Sequence, residues 1–164
     1  GFLYQLEANQ TLQARIMVNP SFHFPKEAVE VALIANGTGV APFLGMISEN
    51  KSMVPVRLYA GFRHQNEMTT RYGEFAEEQL KLGHLRQLEL AFSREENVQY
   101  VMDLIRRDAP YFVELLEKGG YILLCGALRM QHDVEHTLNE LLLAHIGKTI
   151  AVYKENGQIL TDCY

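Results

Sequence analysis

From Glu30 onward, short apolar runs alternate with longer stretches whose apolar residues recur at a helical spacing. Glu30–Ala35 (EVALIA), Pro55–Gly61 (PVRLYAG), Gln87–Phe92 (QLELAF), Tyr121–Cys125 (YILLC) and Ile150–Tyr153 (IAVY) read as strands. Val40–Glu49, Glu67–Leu82, Tyr100–Arg107, Pro110–Lys118 and Met130–Ile146 read as helices. Pro42 is tolerated in the first turn of its helix, and Gly83 and Gly119-Gly120 act as stops. Strands separated by helices need crossover connections, and crossovers give parallel neighbours. The expected fold is therefore α/β, a parallel sheet between two helical layers. In such sheets ligands bind beyond the carboxyl ends of the strands. That rule selects four places: Asn36–Val40, Gly61–His64, Phe92–Arg94 and Cys125–Leu128.

Composition narrows the partners. The chain of 164 residues carries a formal net charge of −5, so no basic footprint argues for nucleic acid. No apolar run reaches the roughly 18 residues that a membrane span needs, so no direct membrane contact is expected from this segment. No basic stretch followed by an apolar core marks a signal peptide. The two cysteines, Cys125 and Cys163, match no metal spacing and read as free thiols of a reducing, cytoplasmic compartment. His132 and His136 stand one helical turn apart, but without the His-Glu-x-x-His order of zinc proteases. They are read as part of a solvated helix face, and no metal site is expected.

The loop after the first strand is Asn36-Gly37-Thr38-Gly39-Val40-Ala41-Pro42-Phe43. Two glycines let backbone amides approach a ligand. The helix that follows at once offers unpaired N–H groups to a phosphate. A tight strand-to-helix turn without a ligand has the same spacing, so the glycines alone leave both readings open. Pro42 occupies the third glycine position of the Gly-x-Gly-x-x-Gly dinucleotide fingerprint, which this loop is therefore not.

The full string GTGVAPF closely resembles the GTGxAPF signature of the ferredoxin–NADP reductase superfamily. More matches follow in order, each at a strand end. Gly61-Phe62-Arg63 resembles Gly-Cys-Arg, and Ser93-Arg94 with Tyr100-Val101 resembles Ser-Arg…Tyr-Val. Cys125-Gly126, Met130 and Asp133-Val134 resemble Cys-Gly-Asp…Met-x-x-Asp-Val. The ending Thr161-Asp162-Cys163-Tyr164 is similar to the Asp-Val-aromatic terminus of the diflavin subgroup, which includes sulfite reductase flavoprotein and the NADPH–cytochrome reductases. The match runs from about Ala28 to the last residue. The chain departs from the pattern at Phe62, at Ala127 in place of an acid, and at Val98-Gln99, where the subgroup has a lysine before its Tyr-Val pair.

The resemblance implies a Rossmann-like NADP(H)-binding domain with a five-stranded sheet in the order 3-2-1-4-5. It implies a parent flavin-dependent oxidoreductase that takes a hydride from NADPH onto FAD and passes electrons to an acceptor domain or protein. Residues 26–164 would be the nucleotide domain. Residues 1–25 would be the end of the flavin-binding domain and a connector, with the packed, Pro- and aromatic-rich Asn19–Pro25 leading in and Gly1–Tyr4 aligned with a turn at the flavin pyrophosphate. The flavin barrel would lie on its partner domain, so the chain alone would not be a complete flavoenzyme.

By the same resemblance, Gly37, Thr38 and Gly39 would hold the pyrophosphate, supported by Arg63. Ser93 and Arg94 would take the 2′-phosphate, and Tyr100 would stack on adenine. Asp133, Cys125 and Asp162 would surround the nicotinamide, the last two as catalytic residues. Tyr164 would lie on the flavin ring. Two other readings fit the departures at Phe62, Val98 and Ala127: a non-catalytic interaction or regulatory module that kept the fold, and an NADH-using reductase.

Overall fold

The computed structural model describes residues 5, 7, 10–13, 15 and 19–164. Gly1–Tyr4, aligned above with a flavin-contacting turn, lie outside the described residues. Five strands form one parallel sheet: β1 (Val31–Asn36), β2 (Val56–Phe62), β3 (Gln87–Phe92), β4 (Tyr121–Gly126) and β5 (Ile159–Cys163). Their spatial order is β3-β2-β1-β4-β5, as the family pattern implied.

The central strands are apolar throughout because both faces of the sheet are covered. Val31 to Ala35 and Ile122 to Leu124 are fully buried. On one face Ala32, Ile34, Tyr59, Ile122 and Leu124 pack against α3 (Val101–Arg107), α4 (Ala109–Glu117), α5 (Leu128–Ile146) and α6 (Ile150–Glu155). On the other, Val31, Leu33, Leu58, Leu123 and Cys125 pack against α1 (Val40–Ser48) and α2 (Glu67–Leu82). The connector joins this second face, with the Phe22 ring 6.0 Å from that of Phe43. The edge strand β3 is mostly half-buried and alternates, with Glu89 paired to Arg107 at 2.9 Å.

Helix boundaries follow local chemistry. In α2, Asn66 Oδ1 accepts from the Thr69 amide at 3.1 Å, and Thr69 Oγ1 accepts from the Asn66 amide at 2.9 Å. This reciprocal cap satisfies two of the backbone donors that a helix start leaves unpaired.

One expectation fails. Ile150–Tyr153 is not the fifth strand but the core of α6, and the strand is Ile159–Cys163, to which the sequence reading assigned no element. A four-residue apolar run fits either period. Neighbours outside the run decide it: the Ile150 amide donates to Asn139 Oδ1 at 3.0 Å, and the buried Tyr153 hydroxyl donates to Glu117. Gln158, also buried, then donates through Nε2 to the Leu116 and Gly120 carbonyls at 2.9 Å, delivering the next residues to the free edge of β4.

Candidate functional site

A groove of about 1220 Å³ runs along the carboxyl edge of the sheet. Its walls come from the ends of β1, β2, β3 and β4 and from the N-terminal turns of α3 and α5. Of the residues singled out from the sequence, it gathers Gly37, Thr38, Arg63, Ser93, Arg94, Tyr100, Asp133 and Tyr164. Gly39, Cys125 and Asp162 are not among its lining residues.

Gly37–Gly39 form a single 3-10 turn that runs directly into α1. Thr38 Oγ1 is 2.6 Å from the Tyr164 hydroxyl. Gly39 has a packing role: a Cβ there would stand 2.2 Å from the Cys125 carbonyl oxygen. The absence of a side chain lets this turn sit against the end of β4.

On the β2–β3 side, Arg63 and Arg94 are exposed, and the Arg94 amide donates to the Arg63 carbonyl at 2.9 Å. Ser93 Oγ donates to the Phe62 carbonyl at 3.3 Å. The acid beside Arg94 is turned elsewhere: Glu95 accepts from the Gln65 amide at 2.8 Å and lies 3.5 Å from His64 Nδ1. Among the described residues, neither Arg63 nor Arg94 has a carboxylate partner. Tyr100 stands at the start of α3, where Asp103 accepts from its amide at 2.8 Å. Its ring is 51% exposed, so it is not the core aromatic that a helix start often supplies.

The β4–β5 side is more closed. Cys125 is buried among the α1 and α2 side chains, and Asp162 is its register partner on β5. Burial first, then the nearby Asp162 and Cys163, pushes the Cys125 thiol up to about 11. The group is thus a neutral thiol at ordinary pH, not a thiolate nucleophile. Asp162 Oδ1 accepts from Asn19 Nδ2 at 3.0 Å, so the connector reaches this corner too. Asp133, in the first turns of α5, lies 3.9 Å from Arg129. The histidine pair on α5 faces outward, with His136 Nε2 3.3 Å from Glu140.

Sequence reasoning gave no role to Asn36 and His64, although both lie in strand-end stretches it selected, nor to Gln99 and Arg129; all four line the groove. Arg129 had a readable signal, since it falls in the first helical turn after a strand end. Asn36 had none: its role depends on a contact with Ala127, far away in sequence.

The groove thus offers three guanidiniums against one carboxylate, two helix starts and an exposed aromatic ring, a donor set suited to an extended, multiply phosphorylated aromatic ligand. Residues 33–136 match the model of the oxidoreductase NAD-binding domain family. The chain is 35% identical to human NADPH–cytochrome P450 reductase over 77% of its own length and 20% of that protein's. It is 29% identical to bovine methionine synthase reductase, covering 97% of this chain and 27% of the relative. It is 32% identical to nitric oxide synthase of Anopheles stephensi, covering 91% and 13%. The chain therefore spans about a quarter or less of the length of these relatives. With the sheet order, the strand-end motifs and the family match in agreement, the chain belongs to the oxidoreductase NAD-binding domain family, within the ferredoxin–NADP reductase superfamily.

Proposed function

We propose that this domain binds NADPH and positions it for hydride transfer to FAD held on a flavin-binding domain of the same parent protein, from which electrons pass to an acceptor domain or protein. The observation that carries this reading is the pair of exposed arginines, without a carboxylate partner among the described residues, beside Ser93 and Tyr100 at the ends of β2 and β3. NADPH supplies the hydride and FAD receives it; the residues of this chain bind, orient and shield. Thr38 and the amides at the head of α1 hold the pyrophosphate, with Arg63 balancing its charge. Arg94 and Ser93 take the 2′-phosphate, and Tyr100 covers the adenine. Asp133 lies toward the nicotinamide ribose. Cys125 and Asp162 form the corner against which the nicotinamide settles, the thiol as a neutral, close-packed neighbour. Tyr164 closes the same corner and yields its place on Thr38 when phosphate arrives.

The donor set fits a dinucleotide, and the free thiols fit a reducing, cytoplasmic setting. In the described residues no helix is long and apolar enough to cross a membrane. The test is calorimetric titration of the domain with NADP+ and with NAD+. Saturable NADP+ binding, tighter than NAD+ binding, supports the proposal. Binding of NAD+ as tight as NADP+ would replace it with an NADH-using reductase, a reading favoured by the uncharged Val98 and Gln99 before Tyr100. No binding of either would leave a non-catalytic module.

A further inference from the structure

The turn that ends β4 is held from two directions. From β1, Asn36 Oδ1 accepts from the Ala127 amide at 2.9 Å. From the chain's last residue, the Tyr164 carbonyl accepts from the Leu128 amide at 3.3 Å, and the Tyr164 amide donates to the Gly126 carbonyl at 2.9 Å. Tyr164 also reaches Thr38 through its hydroxyl. The contacts close a ring: Asn36, Thr38, Tyr164, the Gly126–Leu128 turn, and back to Asn36.

The two attachments differ in kind. The Tyr164 side depends on a residue that is 70% exposed. The Asn36 side is built into the fold. Gly126 has φ of 140°, and a Cβ there would lie 2.1 Å from Asn36 Oδ1, so the turn is shaped around that oxygen. The two bonds also occupy the first backbone donors at the head of α5.

We propose that Asn36 is a positioning residue. Its side-chain oxygen keeps the Gly126–Leu128 turn aligned with the Gly37–Gly39 turn whether or not Tyr164 is docked, and so fixes the nicotinamide side of the groove relative to the pyrophosphate side. This rests on reading the groove as a nicotinamide-dinucleotide site. The adenosine side, built from Ser93, Arg94 and Tyr100, does not depend on Asn36.

The test uses the chain as it stands, with NADP+ and adenosine 2′,5′-bisphosphate as probes. Asn36→Ala should weaken NADP+ binding by about five- to tenfold, the range of one hydrogen bond, and leave the bisphosphate within about twofold. Ala127→Pro should reproduce this: it removes the donor, its ring carbon displaces the Asn36 oxygen that now lies 2.9 Å from the nitrogen, and the backbone φ of −72° suits proline. Hydrogen exchange at the Ala127 amide is read without any ligand. Protection should be lost in Asn36→Ala and kept in Asn36→Asp, which retains an acceptor. Equal weakening of both probes, or of neither, overturns the positioning role, and so does unchanged Ala127 exchange in Asn36→Ala. If wild-type protein binds neither probe, the dinucleotide reading fails; the exchange measurement still decides whether Asn36 holds the turn. If Asn36→Ala does not fold, Ala127→Pro supplies the same comparison.

Discussion

On the β2–β3 side of the groove, Arg63 and Arg94 reach solvent with no carboxylate partner among the described residues, and Tyr100 presents a half-exposed ring. On the β4–β5 side, nearly every polar group is already engaged by the chain: Asp162 by Asn19, the Ala127 amide by Asn36, the Tyr164 hydroxyl by Thr38. The first side is ready for a charged ligand as it stands. The second must exchange internal bonds for new ones, and net binding energy there is small because each bond gained replaces one lost. On the proposed reading, affinity therefore belongs to the adenosine side and alignment to the nicotinamide side.

The comparison breaks most readily at Arg94. Arg94→Ala should cost NADP+ binding about 1.5–3 kcal/mol, as for hydrogen bonds to charged groups, and barely change NAD+ binding. Calorimetry measures both, and equal losses would remove Arg94 from the 2′-phosphate. Gly39→Ala should then show that the seam between the two sides is packed. Its Cβ would meet backbone atoms of Cys125 and Gly126 that have no room to yield, so stability in a urea melt should fall by about 1–3 kcal/mol, the usual cost of overpacking. A variant as stable as wild type would mean that the turn can move away from β4.

Smaller effects test the closed side. Tyr164→Phe removes the hydroxyl that competes for Thr38. NADP+ binding should tighten by up to about 1 kcal/mol, and weaker binding would make the Tyr164 hydroxyl part of the site instead of its cover. For Cys125, the neutral thiol is the form favoured by the fold. Its contribution to stability is fully present below the ordinary thiol value of 9.0 and is lost as pH rises toward about 11. The stability gap between wild type and Cys125→Ala should therefore shift in favour of the variant over that interval in chemical denaturation at stepped pH. A constant gap would show that the thiol is not held neutral by burial.

Much of this was legible in the residues. The parallel sheet follows from alternation, its strand order from the ordered motifs, and the groove's position from the strand ends. What escaped the sequence depends on distant neighbours. IAVY is a helix because Asn139 and Glu117 receive it, and nothing within those four residues says so. Gly39 sits in a ligand-loop motif, yet its missing Cβ is explained by Cys125. Glu95 stands next to Arg94 in sequence, yet its carboxylate bonds to the Gln65 amide in the loop between β2 and α2. Arg129 and Asn36 join the groove only once β1 and β4 are paired.

The sheet order has a consequence for how the molecule assembles. The central strand is the first in sequence, and its neighbours are β2 and β4, with Val31 registered against both Val56 and Tyr121. Pairing β1 with β4 closes a long loop before any contact rewards it, which places this fold among the slower topologies. The groove draws on the ends of β1 to β4 and on the last residue. The whole groove therefore exists only once those strands are paired. Nucleotide should stabilise only the finished domain, so ligand present during refolding should slow unfolding far more than it speeds folding.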